Sequence, residues 1–235
     1  MKTLDETLQR LQELKSKGYI RTHRQGQTGI GKTLEDLLEI EENNISLANT
    51  TFAEFKSARK GSQSMLTLFT KSPLPPKANT NLLDRFGYVT PLSKGRKVLH
   101  TTAKATEYNM LKGKVGFKID VKKDKLSLVS ASGEELGYWD ESTLKESFEN
   151  KLYHVLYVLA DYRGRGKDEE FWFNEAWLLS GFDFEGFMNA VRSGVICVDT
   201  RIGQYPNGTA HDRGTGFRVF PHKLNLCFSQ RQKVL

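Results

Sequence analysis

Leu4, Leu8, Leu11 and Leu14 recur three or four residues apart through LDETLQRLQELKSKG. That spacing lines one face of a helix, and Gly18 supplies a stop. A glycine-bearing turn in RQGQTGIGKTLEDLLEIEENN then predicts a second helix, with Leu34, Leu37 and Leu38 pointing one way and Glu35 at the margin of the apolar face. SLANTTFAEFKSA reads as a strand entered through a turn, and SMLTLFTKS as a strand paired with it across RKGSQ, the pair ending at PLPPKANTN. GYVTPLSKGRKVLHTTAKATEYNMLKGK shows no period and predicts loops and short strands. VGFKIDVKKDKLSLVSA alternates twice about KKDK, the pattern of a hairpin. ESTLKESFENKL predicts a helix capped at Ser142, followed by the strands YHVLYVLAD and EFWFNEAWLLS. FDFEGFMNAVRSG predicts a helix stopped by Gly194, before the strands VICVDTRIG and GFRVFPHKL. Helices and strands mixed along the whole chain, without an internal repeat, predict an α/β fold: a mixed β-sheet core flanked by helices.

The 235 residues suffice for one good-sized core, and no stretch reads as a flexible linker, so a single domain over 1–235 is expected. No apolar run is long enough to cross a bilayer, and MKTLDETLQRLQELKSKGYI has no apolar signal core, which predicts a cytoplasmic protein with no membrane partner. Cys197 and Cys227 lie in apolar stretches and read as buried free thiols. The histidines are scattered, without zinc-site spacing. Thirty-five Lys and Arg against 28 Asp and Glu leave a charge of +7. The acids gather in LEDLLEIEE while basic clusters recur elsewhere, which suits a polyanionic partner and suggests an acidic spot on a basic face.

One short motif carries chemistry. On a strand, Glu54 and Lys56 of AEFKS share a face while Phe55 points inward. A magnesium ion takes one or two protein carboxylates together with water and substrate phosphates. Glu54 can supply one ligand and the main-chain carbonyl of Phe55 another, while Lys56 can position a water and offset phosphate charge. Glu35 can hold a second metal or a water near this site, or stand as an ordinary solvated helix residue. By itself, EFK is equally the charge alternation of a surface strand.

In this setting the chain resembles restriction endonucleases of the MvaI and BcnI type, relatives of the mismatch-repair nicking enzyme MutH. TGIGKTLEDLLEIEENN, MLTLFTKSP, ANTNLLDRFG and DTRIGQYPNGTAHDRGTGFRV carry the resemblance, in the family's order and over nearly the whole chain. It implies a MutH-like fold in which a catalytic lobe, mainly 1–90, and a recognition lobe, mainly 150–235, grip DNA in a cleft. It also implies a PD-(D/E)xK active site at Asn49, Glu54 and Lys56, with Glu35 from the preceding helix and Mg2+ as cofactor. Asn49 departs from the pattern, since the family has aspartate there. An amide keeps the shape and one oxygen of a carboxylate but not its charge. The departure reads as an engineered Asp-to-Asn change that holds DNA uncut, or as a natural loss of activity.

DTRIGQYPNGTAHDRGTGFRV gathers Arg201, Tyr205, His211, Asp212, Arg213 and Arg218 among turn residues. Such a segment is either a polar surface hairpin or a groove reader. Arg can donate twice to guanine, Asp can accept from cytosine N4, and His or Tyr can add edge contacts. The resemblance implies double-stranded DNA of the form CCNGG as substrate. Thr70 and Gly216 stand where the BcnI type carries histidines and RIGQY follows the MvaI type, which favours CCWGG cut after the second cytosine. Arg213 matches the BcnI type and keeps CCSGG open. The resemblance further implies a monomer that nicks the strands in turn, protected in its cell by a cognate DNA methyltransferase. A DNA-binding protein on a dead nuclease fold and a MutH-like nickase are the alternatives. Lys71, Lys77, Arg96, Lys97, Arg163, Arg165 and Lys167 are candidate phosphate contacts.

Overall fold

A computed structural model describes residues 3–39 and 53–235. Asn49 lies outside the described residues. The fold is mixed α/β, as the sequence predicts, and the chain divides into two compact units interleaved along it. The described residues within 1–66, 149–182 and 228–235 form the first, and 67–148 with 183–227 the second. The segment 150–182, assigned on sequence to the recognition lobe, therefore falls in the same unit as Glu54.

In the first unit, helix Leu4–Ser16 begins with a capping box: Thr3 Oγ1 accepts from Glu6 N at 3.2 Å, and Thr3 N donates to Glu6 Oε2 at 2.7 Å. Its leucine stripe, with Leu11 and Leu14 fully buried, meets Ile30 and Leu34 of helix Gly29–Leu37 and the adjacent Leu38 in one core. The sheet beneath runs in the order Ile20–Arg21, Glu170–Ser180, Val155–Arg163, Glu54–Arg59, and Gln230–Lys233 also pairs with Glu170–Ser180. Its pairings are antiparallel except that of Glu54–Arg59 with Val155–Arg163, which is parallel, so the sheet is mixed. Phe55, Leu156, Val158, Phe171 and Phe173 face the helices.

In the second unit, Ile196–Gln204 is central, flanked by Ala210–Asp212, Gly216–Val219 and Leu99–Ala103. Leu66–Thr70 joins the far side of Gly216–Val219. This corrects the expected hairpin: the partner of Leu66–Thr70 is about 150 residues away, not the Glu54 strand across RKGSQ. Phe69, Phe187 and Phe217 pack with ring centroids 4.8 to 5.5 Å apart, and Trp139 meets Phe217 edge-on at 5.3 Å. The hairpin of Phe117–Val121 and Lys125–Ser130 forms as the alternation predicts, and Glu135–Asp140 extends it to a meander. Helix Glu141–Leu152, whose residues from 149 on belong to the first unit, is capped by Asp140 rather than Ser142: Asp140 Oδ1 accepts from Thr143 N and from Ser142 Oγ, both at 2.7 Å. Those bonds hold the Asp140 carboxyl below the usual range. Helix Phe184–Arg192 ends at Gly194, which takes φ 71°, a conformation open to glycine without strain. Cys197 and Cys227 are buried free thiols.

Candidate functional site

The Glu54–Arg59 strand alternates as its sequence requires. Phe55 enters the core, while Glu54 and Lys56 share the opposite face. Its start is fixed by the parallel register that sets Glu54 beside Val155, with Glu54 N donating to His154 O at 2.9 Å. The Glu54 side chain is only 7% exposed, and each of its oxygens faces an ammonium. Lys56 Nζ donates to Oε1 at 2.8 Å and Lys151 Nζ to Oε2 at 3.3 Å. Lys151 comes from the last turn of helix Glu141–Leu152, where the carbonyl end of a helix favours positive charge. Nothing local in the sequence links it to Glu54.

Tyr157 stands beside Lys56 in the same parallel register, and burial, helped by the charge of Glu175, pushes its phenol up to about 12. It therefore stays an O–H donor throughout the neutral range. At the far end of the strand Arg59 makes two bonds to Glu169, at 2.6 and 2.7 Å, and lies 5.1 Å over Phe171. It also donates to the carbonyls of Gly26 and Gln27, pinning the turn before helix Gly29–Leu37. That helix packs on the strand and carries the half-buried Glu35.

Among the described residues no group of three or more acidic, His or Cys side chains gathers around a single point. A buried carboxylate balanced only by movable ammoniums nevertheless fits a hard divalent cation. Such an ion needs one or two protein carboxylates and completes its shell with water and phosphate oxygen.

The second unit holds a different polar cluster. Asp199 Oδ2 accepts from Arg201 Nε at 2.9 Å and pairs with Arg218 Nη1 at 3.1 Å, while Oδ1 accepts from Thr102 at 3.2 Å. Asp199 and Arg201 lie two apart on one strand, hence on one face, a spacing the sequence itself carries. Arg218 is largely buried, and its Nε makes no hydrogen bond among the described residues. Burial brings its guanidinium below its ordinary value, opposed by Asp199.

Asp212 organises the turn after Ala210–Asp212. Oδ1 accepts from Gly214 N at 2.8 Å and Thr215 N at 2.7 Å, and Oδ2 from Ser72 Oγ at 2.5 Å and Asn79 Nδ2 at 3.0 Å. Burial works against ionisation, yet the bonds from Ser72, Thr215, Gly214 and Asn79 hold this carboxyl below the usual range. All four of its acceptor positions are thereby engaged. The neighbouring Arg213 is exposed and lies flat over Gly203; a Cβ at Gly203 would sit 2.7 Å from Arg213 Nε. Tyr205 and His211 form a unit of their own, with hydroxyl and Nδ1 2.8 Å apart and ring centroids 4.5 Å apart. Two residues that the sequence reading did not single out stand among those it did: Asp199 between Arg201 and Arg218, and His100, the cross-strand partner of Arg201.

The family model described as the MvaI/BcnI restriction endonuclease family matches residues 8–228. Five chains of solved structures match. A structure titled "Restriction endonuclease MvaI-cognate DNA substrate complex" is 29% identical, with a TM-score of 0.87 over 100% of this chain and 99% of that one. Another, "Restriction endonuclease MvaI in the absence of DNA", is 30% identical, with a TM-score of 0.57 over 100% of both chains. No curated protein sequence matches.

Proposed function

The chain belongs to the MvaI/BcnI restriction endonuclease family of DNA-cleaving type II enzymes; from that premise, we propose that it acts in the cytoplasm, as a monomer, on double-stranded DNA. The site is CCWGG, hydrolysed after the second cytosine, with the two strands nicked in turn. The observation that carries the catalytic part is the buried Glu54 carboxylate flanked by Lys56 and Lys151. Glu54 and the Phe55 carbonyl, with position 49, would hold Mg2+, which when bound supplies a Lewis acid and charge neutralisation at the scissile phosphate. Lys56 orients the attacking water and offsets phosphate charge. Glu35 supports a water at the margin of the site. Lys151 balances the second oxygen of Glu54 while the DNA is absent. Around Asp199, Arg201 and Arg213 present guanidiniums suited to guanine edges, the largely buried Arg218 backs them through Asp199, and Tyr205 with His211 adds a hydroxyl and an imidazole. Asp212, whose acceptors are spent, braces the turn that aims Arg213.

Asn49 decides how active this chain is. An amide in place of an aspartate ligand leaves the shape but removes a charge. If that withdraws about 4 kcal/mol of transition-state stabilisation, turnover falls about a thousandfold. Removing an anion near phosphates lowers repulsion at the same time, so the protein holds its site without cutting it. The test is digestion by the Asn49→Asp variant of a plasmid bearing one CCWGG site, with magnesium. We expect about a thousandfold gain, with nicked circles preceding linear product; no gain would sink the role of position 49 and favour a DNA-binding protein on an inactive nuclease fold. Persistent nicks without linear product would instead indicate a nickase. A CCSGG plasmid cut in preference would reverse the central-base assignment.

A further inference from the structure

His100 is a cross-strand neighbour of Arg201 in the pairing of Leu99–Ala103 with Ile196–Gln204. Two concavities open beside it. One, of about 350 Å³, is lined by His100, Thr101, Thr102, Asp199, Arg201 and Arg213. The other, of about 620 Å³, is lined by Tyr88, Pro91 and Gln204 among others, and again by His100 and Arg213. His100 and Arg213 thus line both, so the imidazole and the guanidinium face a group in either concavity.

The remaining polar groups sort by what they can still offer. Arg201 and Arg213 only donate. Asp199 has three of its four acceptor positions engaged, both on Oδ2 by Arg201 and Arg218 and one on Oδ1 by Thr102. Gln204 Oε1 accepts from Lys97 N at 3.1 Å and Nε2 donates to Gly208 O at 2.9 Å. The His100 ring makes no hydrogen bond among the described residues; its main-chain carbonyl accepts from Tyr88. Burial, then Arg213 and Arg201, keeps this imidazole below its ordinary pKa, with Asp199 opposing, so near neutral pH it carries a lone pair on one nitrogen.

A C·G pair shows the major groove two guanine acceptors and one cytosine amino donor. An arginine beside a neutral imidazole is the complement of that pattern. We propose that His100 is a specificity-determining residue that accepts a hydrogen bond from cytosine N4, in the same C·G pair whose guanine is taken by Arg201 or Arg213. The assignment rests on the reading of the second unit as the DNA-reading part of the protein.

The test is equilibrium binding of the full chain, in metal-free buffer at several salt concentrations, to the tighter of the CCAGG and CCGGG duplexes. Duplexes in which one C·G pair is replaced by T·A give the discrimination at each position. The His100→Leu variant should lose on the order of tenfold in discrimination at one C·G position, with an unchanged salt slope and unfolding temperature. His100→Gln, which keeps an acceptor, should retain most of it. Ratios within about twofold of the unmodified chain at every position would overturn the proposal. So would a uniform loss with a salt slope lower by about one, the signature of a phosphate contact. An unmodified chain that discriminates at no position overturns the DNA-reading assignment of the second unit, and the role of His100 with it.

Discussion

Two carboxylates illustrate how differently the two units use charge. Among the described residues Glu54, in the first, is met by the ammoniums of Lys56 and Lys151, point charges on flexible stems. Asp212, in the second, is met by a hydroxyl, a side-chain amide and two backbone amides, and the latter, Gly214 N and Thr215 N, cannot leave without breaking the turn. A carboxylate whose counter-ions can be exchanged is available to chemistry. One held in part by the backbone of its own turn serves geometry, here the turn that carries Arg213.

The contrast can be broken first at Glu54. In the Asn49→Asp background, Glu54→Gln should lower cleavage by about a thousandfold while affinity for the site in metal-free buffer is kept or improved. Single-turnover digestion and equilibrium binding on the same preparation separate the two, and a parallel loss of binding would show that Glu54 is structural. At Asp212 the effect should fall on stability instead. Asp212→Asn keeps the shape but turns a donor toward donors, at a cost of about 2 kcal/mol, measurable by urea unfolding. The folded carboxyl titrates below its unfolded value, so its contribution is complete above the ordinary Asp pKa of about 3.9. It is lost as pH falls through the lower folded value. The variant should lack that part of the acid dependence; an identical profile would mean the bonds contribute nothing.

The third break is the mildest and most selective. Gly203→Ala sets a methyl 2.7 Å from Arg213 Nε, but the obstructed group is the end of a flexible side chain. The guanidinium swings away at little cost to the fold. Preference for the cognate duplex should therefore drop by about tenfold with the unfolding midpoint nearly constant. A large fall in that midpoint would show instead that the backbone cannot absorb the methyl.

Legibility followed locality. The leucine stripe of Leu4–Ser16, the amphipathic Phe184–Arg192 and the Phe117–Ser130 alternation are short-range patterns, and all were readable. Helix Ala78–Phe86 was not, because prolines and a polar ANTN opening hide Leu82 and Leu83, which are buried. Leu66–Thr70 read correctly as a strand, but its partner could not be seen, since a hairpin is the local guess and the actual neighbour is remote. The candidate site divides in the same way. Glu54 and Lys56 follow from an alternation of two residues, whereas Lys151 reaches Glu54 only because a helix ends beside a parallel pairing. His100 meets Arg201 only through cross-strand register.

The strand Gln230–Lys233 and the buried Leu235 have a consequence for how the protein comes into being. Leu235 is part of the core that holds Leu11, Phe55 and Phe173, and its main chain bonds to Ala176. Synthesis runs from the N-terminus, and domains generally fold as they emerge. The second unit's segments are therefore all translated before the first unit receives its closing strand. A chain broken off before residue 230 lacks both the strand that pairs with Glu170–Ser180 and the Leu235 side chain of the core beneath Glu54, so the first unit, although it is begun first, is the last to be finished.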